Sequence, residues 1–434
     1  QGGNMSWRNL VTGARGRVSK MRDRNWNWNT PFHISHWNSK TLYYGGSKVY
    51  KSPNRGRNAV AISPVLVRKT PEGVKRSTRQ SISTISESRR KPGILWAGTD
   101  DGKLWVTKDD GRNWQDRSKS MIDALPGDQA RWINDVHASY HVDGRAYVAV
   151  DGHRNGDRAP HIFVTEDWGA TWKSLTKALP KEAGNARVIR DDSKNPDLLY
   201  AGCEMGLWIS MDRGKYWQRM DKRFPSVSVH DFDQQEREQH LIIATHGRGV
   251  WALDIRPLRA LTKSVREKDF TLVDPNDVLR IAKRNQARQG HRFFRLANPR
   301  PAAALYYHLG KNTKEAVKIS VSDALGNTVY TAKGKQRAGL YRVDWNLRKA
   351  RRGIGGALRS MARRGGSMAS AGTYAVTIEY GKRKATQTFK VEDDKAPMDV
   401  AWPPLPSVGT GMSYSEEVQQ QRAAEALEAR KEIL

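Results

Sequence analysis

Aspartate and histidine side chains occur at short spacing in two segments of the sequence and could carry acid–base chemistry. Asp135 lies two residues before His137, and His230 directly precedes Asp231. A pair of carboxyl groups can hydrolyse a glycosidic bond when they lie about 5 to 10 Å apart, one as the acid and the other as nucleophile or base. These four residues are therefore the catalytic candidates, and glycoside hydrolysis is the reaction they would support.

Histidine and aspartate could also bind a metal ion, and His137, His141 and His153 lie near several aspartates. Imidazole and carboxylate groups suit several divalent transition metals. However, the segment has neither a helical His-x3-His pair nor the spacing of a compact calcium loop. Residues 152–156 also lack the lysine and the following helix of a phosphate-binding loop. We predict no metal, no nucleotide and no other cofactor.

Arginine supplies a third kind of chemistry. The 434 residues include 75 Lys+Arg against 45 Asp+Glu, which gives a net charge of +30. Arginine pairs well with phosphate and carboxylate groups, so this balance predicts an acidic partner. Residues 348–364 contain no acid and several glycines, and we predict that this loop lies against the partner. Its polyanion-binding candidates are Arg348, Arg351, Arg352, Arg359, Arg363 and Arg364.

A pattern of the form Ser/Thr-x-Asp-x-Gly-x-x-Trp occurs three times in tandem. The Asp can accept backbone N–H groups, the Gly can adopt a positive φ, and the Trp can cover the turn that results. We therefore predict a structural hairpin turn at each copy. The copies are Thr107, Asp109, Gly111 and Trp114; Thr165, Asp167, Gly169 and Trp172; and Ser210, Asp212, Gly214 and Trp217, with a degenerate fourth at Ser52, Asn54 and Gly56.

Short β-rich runs surround each copy and define a repeating unit. Two strands lead into the turn, as at residues 94–98 and 104–107, and one strand upstream and one after the Trp complete the unit. Four antiparallel strands per unit are typical of a propeller blade, so we predict an all-β fold with at least five blades over residues 25–255. The box aspartates lie on separate outer turns, whereas the four catalytic candidates belong to innermost strands beside the channel.

The segments outside the propeller differ from it in composition and in hydrophobic pattern. Residues 1–24 form a basic segment, and residues 256–290 are predicted to be a linker with one helix near 275–287. Residues 291–395 alternate with period two over six or seven short strands, which predicts an immunoglobulin-like sandwich. Residues 396–434 contain a Pro-rich tail followed by a capping box, which predicts a C-terminal helix.

The repeats resemble the Asp-box repeats of sialidases, of family 74 glycoside hydrolases and of sortilin-type ten-bladed receptors. The chain is most similar to large secreted bacterial proteins with sortilin-like propellers, which are labelled glycosyl hydrolases without demonstrated activity. The resemblance implies a secreted, periplasmic or cell-surface protein that looks like the C-terminal half of a longer one. The segments that carry it are 27–31, 94–102, 147–153, 246–254, 339–348 and 371–376.

These observations favour a non-enzymatic scaffold or binding protein, a propeller subunit of a larger envelope or extracellular assembly. Its expected partners are other protein subunits, with acidic glycans and lipid headgroups as alternatives. Nucleic acid is not expected, because no recognised nucleic-acid fold is visible. The alternative function is an Asp-box glycoside hydrolase that acts on a polysaccharide.

Two further features limit the class of protein. Residues 59–67, the most apolar stretch, are far shorter than the roughly 20 residues of a membrane-spanning helix, so no transmembrane span is predicted. Cys203 is the single cysteine, which excludes an internal disulfide and any cysteine-cluster metal site. Packing must therefore stabilise the fold.

Overall fold

The computed structural model describes residues 2–9, 12–18, 21–23, 25–68, 80–220, 224–280, 302–349 and 366–393. These residues divide into two compact units, one up to Arg259 and the other from Ala260 onward. In the described parts of the chain, no helix is both long and apolar enough to cross a membrane.

The first unit consists almost entirely of short antiparallel strands. Its strands are β1 (Ser6–Arg8), β2 (Arg15–Arg17), β3 (Phe32–Ile34), β4 (Leu42–Gly45), β5 (Val49–Ser52), β6 (Val60–Ala61), β7 (Ile82–Glu87), β8 (Leu95–Thr99), β9 (Leu104–Thr107), β10 (Gln115–Asp116), β11 (Trp132–Ala138), β12 (Ala146–Asp151), β13 (His161–Thr165), β14 (Lys173–Ser174), β15 (Ala186–Asp191), β16 (Leu199–Cys203), β17 (Gly206–Ser210), β18 (Gln218–Arg219), β19 (Val229–Gln235), β20 (His240–Thr245) and β21 (Val250–Asp254). Two short helices accompany them, α1 (Ser118–Asp123) and α2 (Arg256–Ala260).

These strands form successive blades in chain order. Blades 1 to 4 are the four-stranded sheets β3–β6, β7–β10, β11–β14 and β15–β18, and blade 5 is the three-stranded sheet β19–β21. The pair β1–β2 forms a separate hairpin ahead of blade 1. The prediction of an all-β propeller is confirmed.

Neighbouring blades bury one another's faces. Every residue of β8, β12, β13, β16 and β17 is buried, because each of these strands lies in a sheet that is covered on both sides. Close approach requires a small residue on the second strand. A Cβ at Gly98 would lie 2.5 Å from Cγ2 of Ile133, the residue that blade 3 presents to blade 2. The short apolar runs in the sequence therefore become the inner layers between blades.

The second unit is a two-sheet β structure that begins after a one-turn helix, α3 (Lys263–Arg266). One sheet has the strand order β22-β24-β27 and the other β23-β29-β28-β25-β26, and residues of both sheets share one core around the fully buried Trp345. The immunoglobulin-like assignment stays a prediction. The strands are β22 (Phe270–Leu272), β23 (Val278–Arg280), β24 (Ala303–Leu309), β25 (Lys318–Asp323), β26 (Thr328–Lys333), β27 (Gly339–Trp345), β28 (Gly372–Tyr380) and β29 (Arg383–Asp393).

Residues 256–290 were predicted to be a linker with one helix near 275–287, but part of this segment forms β-strands. Strands β22 and β23 lie within it, and they pair with β24 and β29 of the second unit. Leu272 is buried in the core and Val278 packs against it, so tertiary pairing determines the local structure there. Residues 281–287, most of the Arg-rich loop and the predicted C-terminal helix lie outside the described residues.

Candidate functional site

The innermost strands of blades 3, 4 and 5 bring two of the catalytic candidates to one guanidinium group. Asp135 on β11 accepts hydrogen bonds from Nη1 of Arg190 on β15 and, at 3.1 Å, from the backbone nitrogen of Ile189. Nη2 of Arg190 donates to Asp231 on β19 at 3.2 Å. Although burial lowers the pKa of Arg190, the two carboxylates raise it above its usual range. The three residues thus form an ion-pair chain across three blades.

His137, the third candidate, belongs to a buried contact between blades 3 and 4. Its Nε2 lies 2.7 Å from Oδ1 of Asp191, and the Ser139 hydroxyl donates to Oδ2 at 2.6 Å. The Asp191 side chain is 0% exposed. Burial raises its pKa, but the contacts with His137 and Ser139 outweigh burial and lower the pKa below its usual value. Asp191 is therefore a charged acceptor between two blades.

The same arrangement recurs between blades 1 and 2. The Ser35 hydroxyl donates to Oε1 of Glu87 at 2.9 Å, and His33 Nε2 lies 3.4 Å from Oε2. Between blades 4 and 5, the Ser193 hydroxyl donates to Glu236 at 2.6 Å. We call these serine–carboxylate contacts the interblade ties. In each tie an acid of one blade accepts a hydrogen bond from a serine of the preceding blade.

The first two ties follow a pattern that could be found in the sequence. His33-x-Ser35 and His137-x-Ser139 have the same spacing, and the acceptor acid lies 52 residues after the serine in both cases. Glu87 and Ser35 were not among the predicted functional residues. The feature that could have identified them is the constant spacing between equivalent residues of neighbouring blades. The composition of the local sequence does not show this spacing.

The Asp boxes lie on the turns between the third and fourth strands of blades 2, 3 and 4. The Asp109 carboxylate accepts the Asn113 backbone N–H at 2.9 Å and the Thr107 hydroxyl at 2.9 Å. Asp167 and Asp212 make the equivalent contacts with Thr171 and Thr165 and with Tyr216 and Ser210. Glycines Gly111, Gly169 and Gly214 have φ values of 88°, 82° and 81°.

The box tryptophans extend beyond their own turns. Trp114 Nε1 donates to the carbonyl oxygen of Ile62 at 2.9 Å, and Trp217 Nε1 donates to that of Leu175 at 2.9 Å. Both acceptors belong to the preceding blade. Trp172 instead contacts Trp96 of blade 2 with ring centroids 6.3 Å apart. The boxes therefore fix blade to blade as well as strand to strand.

His230, the fourth candidate, lies in a different environment. Its ring stacks on His246 at 5.3 Å between centroids, and burial together with Arg187 lowers its pKa. Both rings line a cavity of about 920 Å³ whose other walls come from blade 1 and the N-terminal hairpin. We call this cavity the seam groove, because it lies where blade 5 meets blade 1.

Apolar side chains dominate the blade 1 wall of the seam groove. Trp28, Phe32 and Ile34 line it and are 73%, 63% and 56% exposed. These residues were not among the predicted functional residues. Whether a residue on such a strand is buried depends on the neighbouring blade. The sequence of the strand itself therefore does not predict its exposure.

Metal binding and the Arg-rich loop were the other subjects of the sequence predictions. Among the described residues, no group of three or more His, Cys, Asp or Glu side chains could hold a metal ion. Arg348 donates through Nη1 to the Gly366 carbonyl at 3.0 Å, at the base of the Arg-rich loop. Arg351, Arg352, Arg359, Arg363 and Arg364 lie outside the described residues.

The sheet order and the boxes together define an Asp-box β-propeller protein. A family model described as "Sortilin, neurotensin receptor 3" matches residues 102–271, from blade 2 into the second unit. The predicted resemblance to sortilin-type propellers is thereby confirmed over those residues. No curated protein sequence matches the chain.

Solved structures with a similar fold share little sequence with the chain. YCF48 bound to D1 peptide is 10% identical, with a TM-score of 0.39, over 55% of this chain and 67% of that one. YCF48 from Cyanidioschyzon merolae is 13% identical, with a TM-score of 0.37, over 54% and 71%. The GH74 xyloglucanase from Xanthomonas campestris is 13% identical, with a TM-score of 0.40, over 67% of this chain and 45% of that enzyme.

Proposed function

We propose that the chain is a non-enzymatic propeller subunit of a secreted or envelope assembly, and that its basic surfaces contact acidic protein partners. The observation that supports this is the use of the inner-strand acids. A catalytic acid must come within about 3 Å of a substrate proton. Asp135 and Asp191 are buried, and residues of the same propeller occupy their carboxylates. They hold blades together.

The sequences of both units contain basic segments. Arg8, Arg15 and Arg17 are exposed on the β1–β2 hairpin, and residues 1–20 contain no acid. The loop at 348–364 adds six arginines without an acid. Like charges at these densities repel one another unless an anionic surface lies against them, and Arg favours carboxylate partners.

The test compares two charge-matched variants of the full chain on immobilised polyglutamate. Replacing Arg351, Arg352, Arg363 and Arg364 with Gln should weaken association and flatten its salt dependence, while the melting temperature stays nearly unchanged. The control has four arginines that already have acidic partners replaced by Gln, and it should bind nearly as the unmodified chain does. Equal losses in both variants would show that only net charge matters and would overturn the role of the loop. The control positions are Arg213, Arg237, Arg342 and Arg383.

One observation favours the alternative, a glycoside hydrolase. Asp135 and Asp231 contact the same guanidinium, so their carboxylates lie close together, and the Asp231 side chain is 67% exposed. Incubation with a panel of neutral and acidic polysaccharides should give no product above the level of a heat-inactivated control. Turnover that disappears in Asp231→Asn and persists in Asp233→Asn would replace the proposed function with this one.

A further inference from the structure

One position on the third strand of each blade shows how blades cover one another. Val49, Leu104, Ile162 and Leu207 each pair with a small residue of the second strand, and each is 0% exposed. Each packs in a core with the first strand of the following blade. Val250 holds this position in blade 5, where it pairs with Ala244, and it is 72% exposed. Among the described residues, no blade covers this position of blade 5.

Blade 1 shows the complementary face. The first strands of blades 2 to 5 present Ile82, Ile133, Ala186 and Val229 to the preceding blade, and these are at most 1% exposed. Phe32 and Ile34 on β3 are instead 63% and 56% exposed, and they line the seam groove opposite His230 and His246. A blade 1 face of the type that is buried in the other blades therefore lines this groove, and the blade 5 wall consists of the two histidine rings.

The volume of the groove limits the length of a peptide segment that it can hold. A β-strand residue rises about 3.3 Å, and strands and stacked sheets are spaced about 4.8 Å and 10 Å apart, so each residue fills about 160 Å³. A groove of about 920 Å³ therefore accommodates one extended segment of about six residues.

The charges around the groove indicate the composition of that segment. None of the described residues that line the groove is acidic, and Lys40 and Arg55 lie on its rim with exposed side chains. Burial and the nearby Arg187 lower the pKa of His230, which favours the uncharged ring. The wall is apolar and the rim is cationic, which fits apolar side chains flanked by carboxylates.

We propose that the seam groove binds an extended, strand-forming segment of a partner protein, about six residues long, with apolar side chains toward the blade 1 wall and Asp or Glu at the rim. The proposal rests on the proposed function, since it places one acidic partner in one site. The interfaces between blades within this propeller supply the model for the contact, because the same positions are covered there by a strand.

The experiment is selection of random octapeptides, displayed on phage, against the immobilised full chain. Selected peptides should combine two or more apolar residues with net negative charge. The affinity of a selected peptide, measured by isothermal titration, should fall at least tenfold for Ile34→Glu and should fall for Lys40→Glu with Arg55→Glu. Leu325→Glu is the matched control, since Leu325 is 87% exposed in the second unit, and it should bind unchanged.

Three results would overturn the proposal: no enrichment, enrichment of peptides without acidic residues, or binding that Ile34→Glu leaves intact. Sedimentation of the full chain without peptide gives a fourth, because a dimer that Ile34→Glu dissociates would make a second copy the occupant. The rim variants test the groove even if Ile34→Glu fails to fold. If the loop arginines still direct polyglutamate binding while the selection fails, only the groove assignment is wrong.

Discussion

The junction between blades 4 and 5 and the seam between blades 5 and 1 are built from equivalent positions and have opposite exposure. Leu207 is fully buried at the junction, whereas Val250, its equivalent beside the seam, is 72% exposed. The junction also encloses a carboxylate, Asp192, whose side chain is 0% exposed. The same strand pattern thus either holds the propeller together or offers a binding surface, depending on what lies against it.

Removing a buried acid from an internal junction should give the largest effect. Asp192 is 0% exposed and accepts hydrogen bonds from Nε of Arg259 at 2.8 Å and from the Tyr200 hydroxyl at 2.9 Å. Asp192→Ala removes the carboxylate that binds Nε of the buried guanidinium and leaves Glu236 as the acid that still contacts it. The Tyr200 hydroxyl loses its acceptor as well, so we expect a loss of about 3 to 5 kcal/mol in the free energy of unfolding, measured by urea denaturation. The exposed control Asp233→Ala should cost less than about 0.5 kcal/mol. Similar losses in the two variants would contradict the contrast.

The second largest difference between the junction and the seam is expected when an apolar side chain is shortened to Ala. Leu207→Ala removes a side chain that packs against blade 5, so the free energy of unfolding should fall by about 2 to 5 kcal/mol. Val250→Ala should change it by less than about 0.5 kcal/mol, because Val250 is already exposed. A loss above about 2 kcal/mol at Val250 would show that this face is covered in the protein.

Acid should weaken the interblade ties. The contacts with His33 and Ser35 lower the pKa of Glu87 below 4.5 despite its burial, and those with His137 and Ser139 lower that of Asp191 below 3.8. The unfolded chain takes up these protons first as the pH falls. The stabilisation is therefore complete above about pH 5 and is lost as the pH drops through the lowered values. Calorimetric melting temperatures from pH 7 to 3 should fall less steeply in Asp191→Asn than in the unmodified chain, and parallel curves would count against the tie.

The smallest effect is expected at an outer turn. Trp217→Phe replaces the buried indole by a smaller aromatic ring and removes the hydrogen bond to the Leu175 carbonyl of the preceding blade. The net value of such a bond is about 1 kcal/mol. Urea denaturation should show that Trp217→Phe loses about that much more than Trp172→Phe, because Nε1 of Trp172 has no hydrogen-bond partner among the described residues. Equal losses would mean that the hydrogen bond contributes nothing.

The blades could be predicted because their turns are encoded locally. Asp109 and Gly111 act within four residues of Thr107, so their spacing alone identifies the turn. The tie between Ser35 and Glu87 spans 52 residues and depends on how two blades stack. Strands β22 and β23 were likewise missed, since their partners lie far along the chain. Hydrogen bonds within a turn could therefore be predicted from the sequence, whereas the repeat spacing of the ties is recognised only once the arrangement of the blades is known.

The central claim is that inner-strand acids hold blades together, and a double-mutant cycle between His137 and Asp191 tests it most directly. Free energies of unfolding would be measured for His137→Gln, Asp191→Asn and the double variant. Because the two side chains lie 2.7 Å apart across blades 3 and 4, the cycle should give a coupling energy of about 1 kcal/mol or more. Additivity within about 0.3 kcal/mol would contradict the claim.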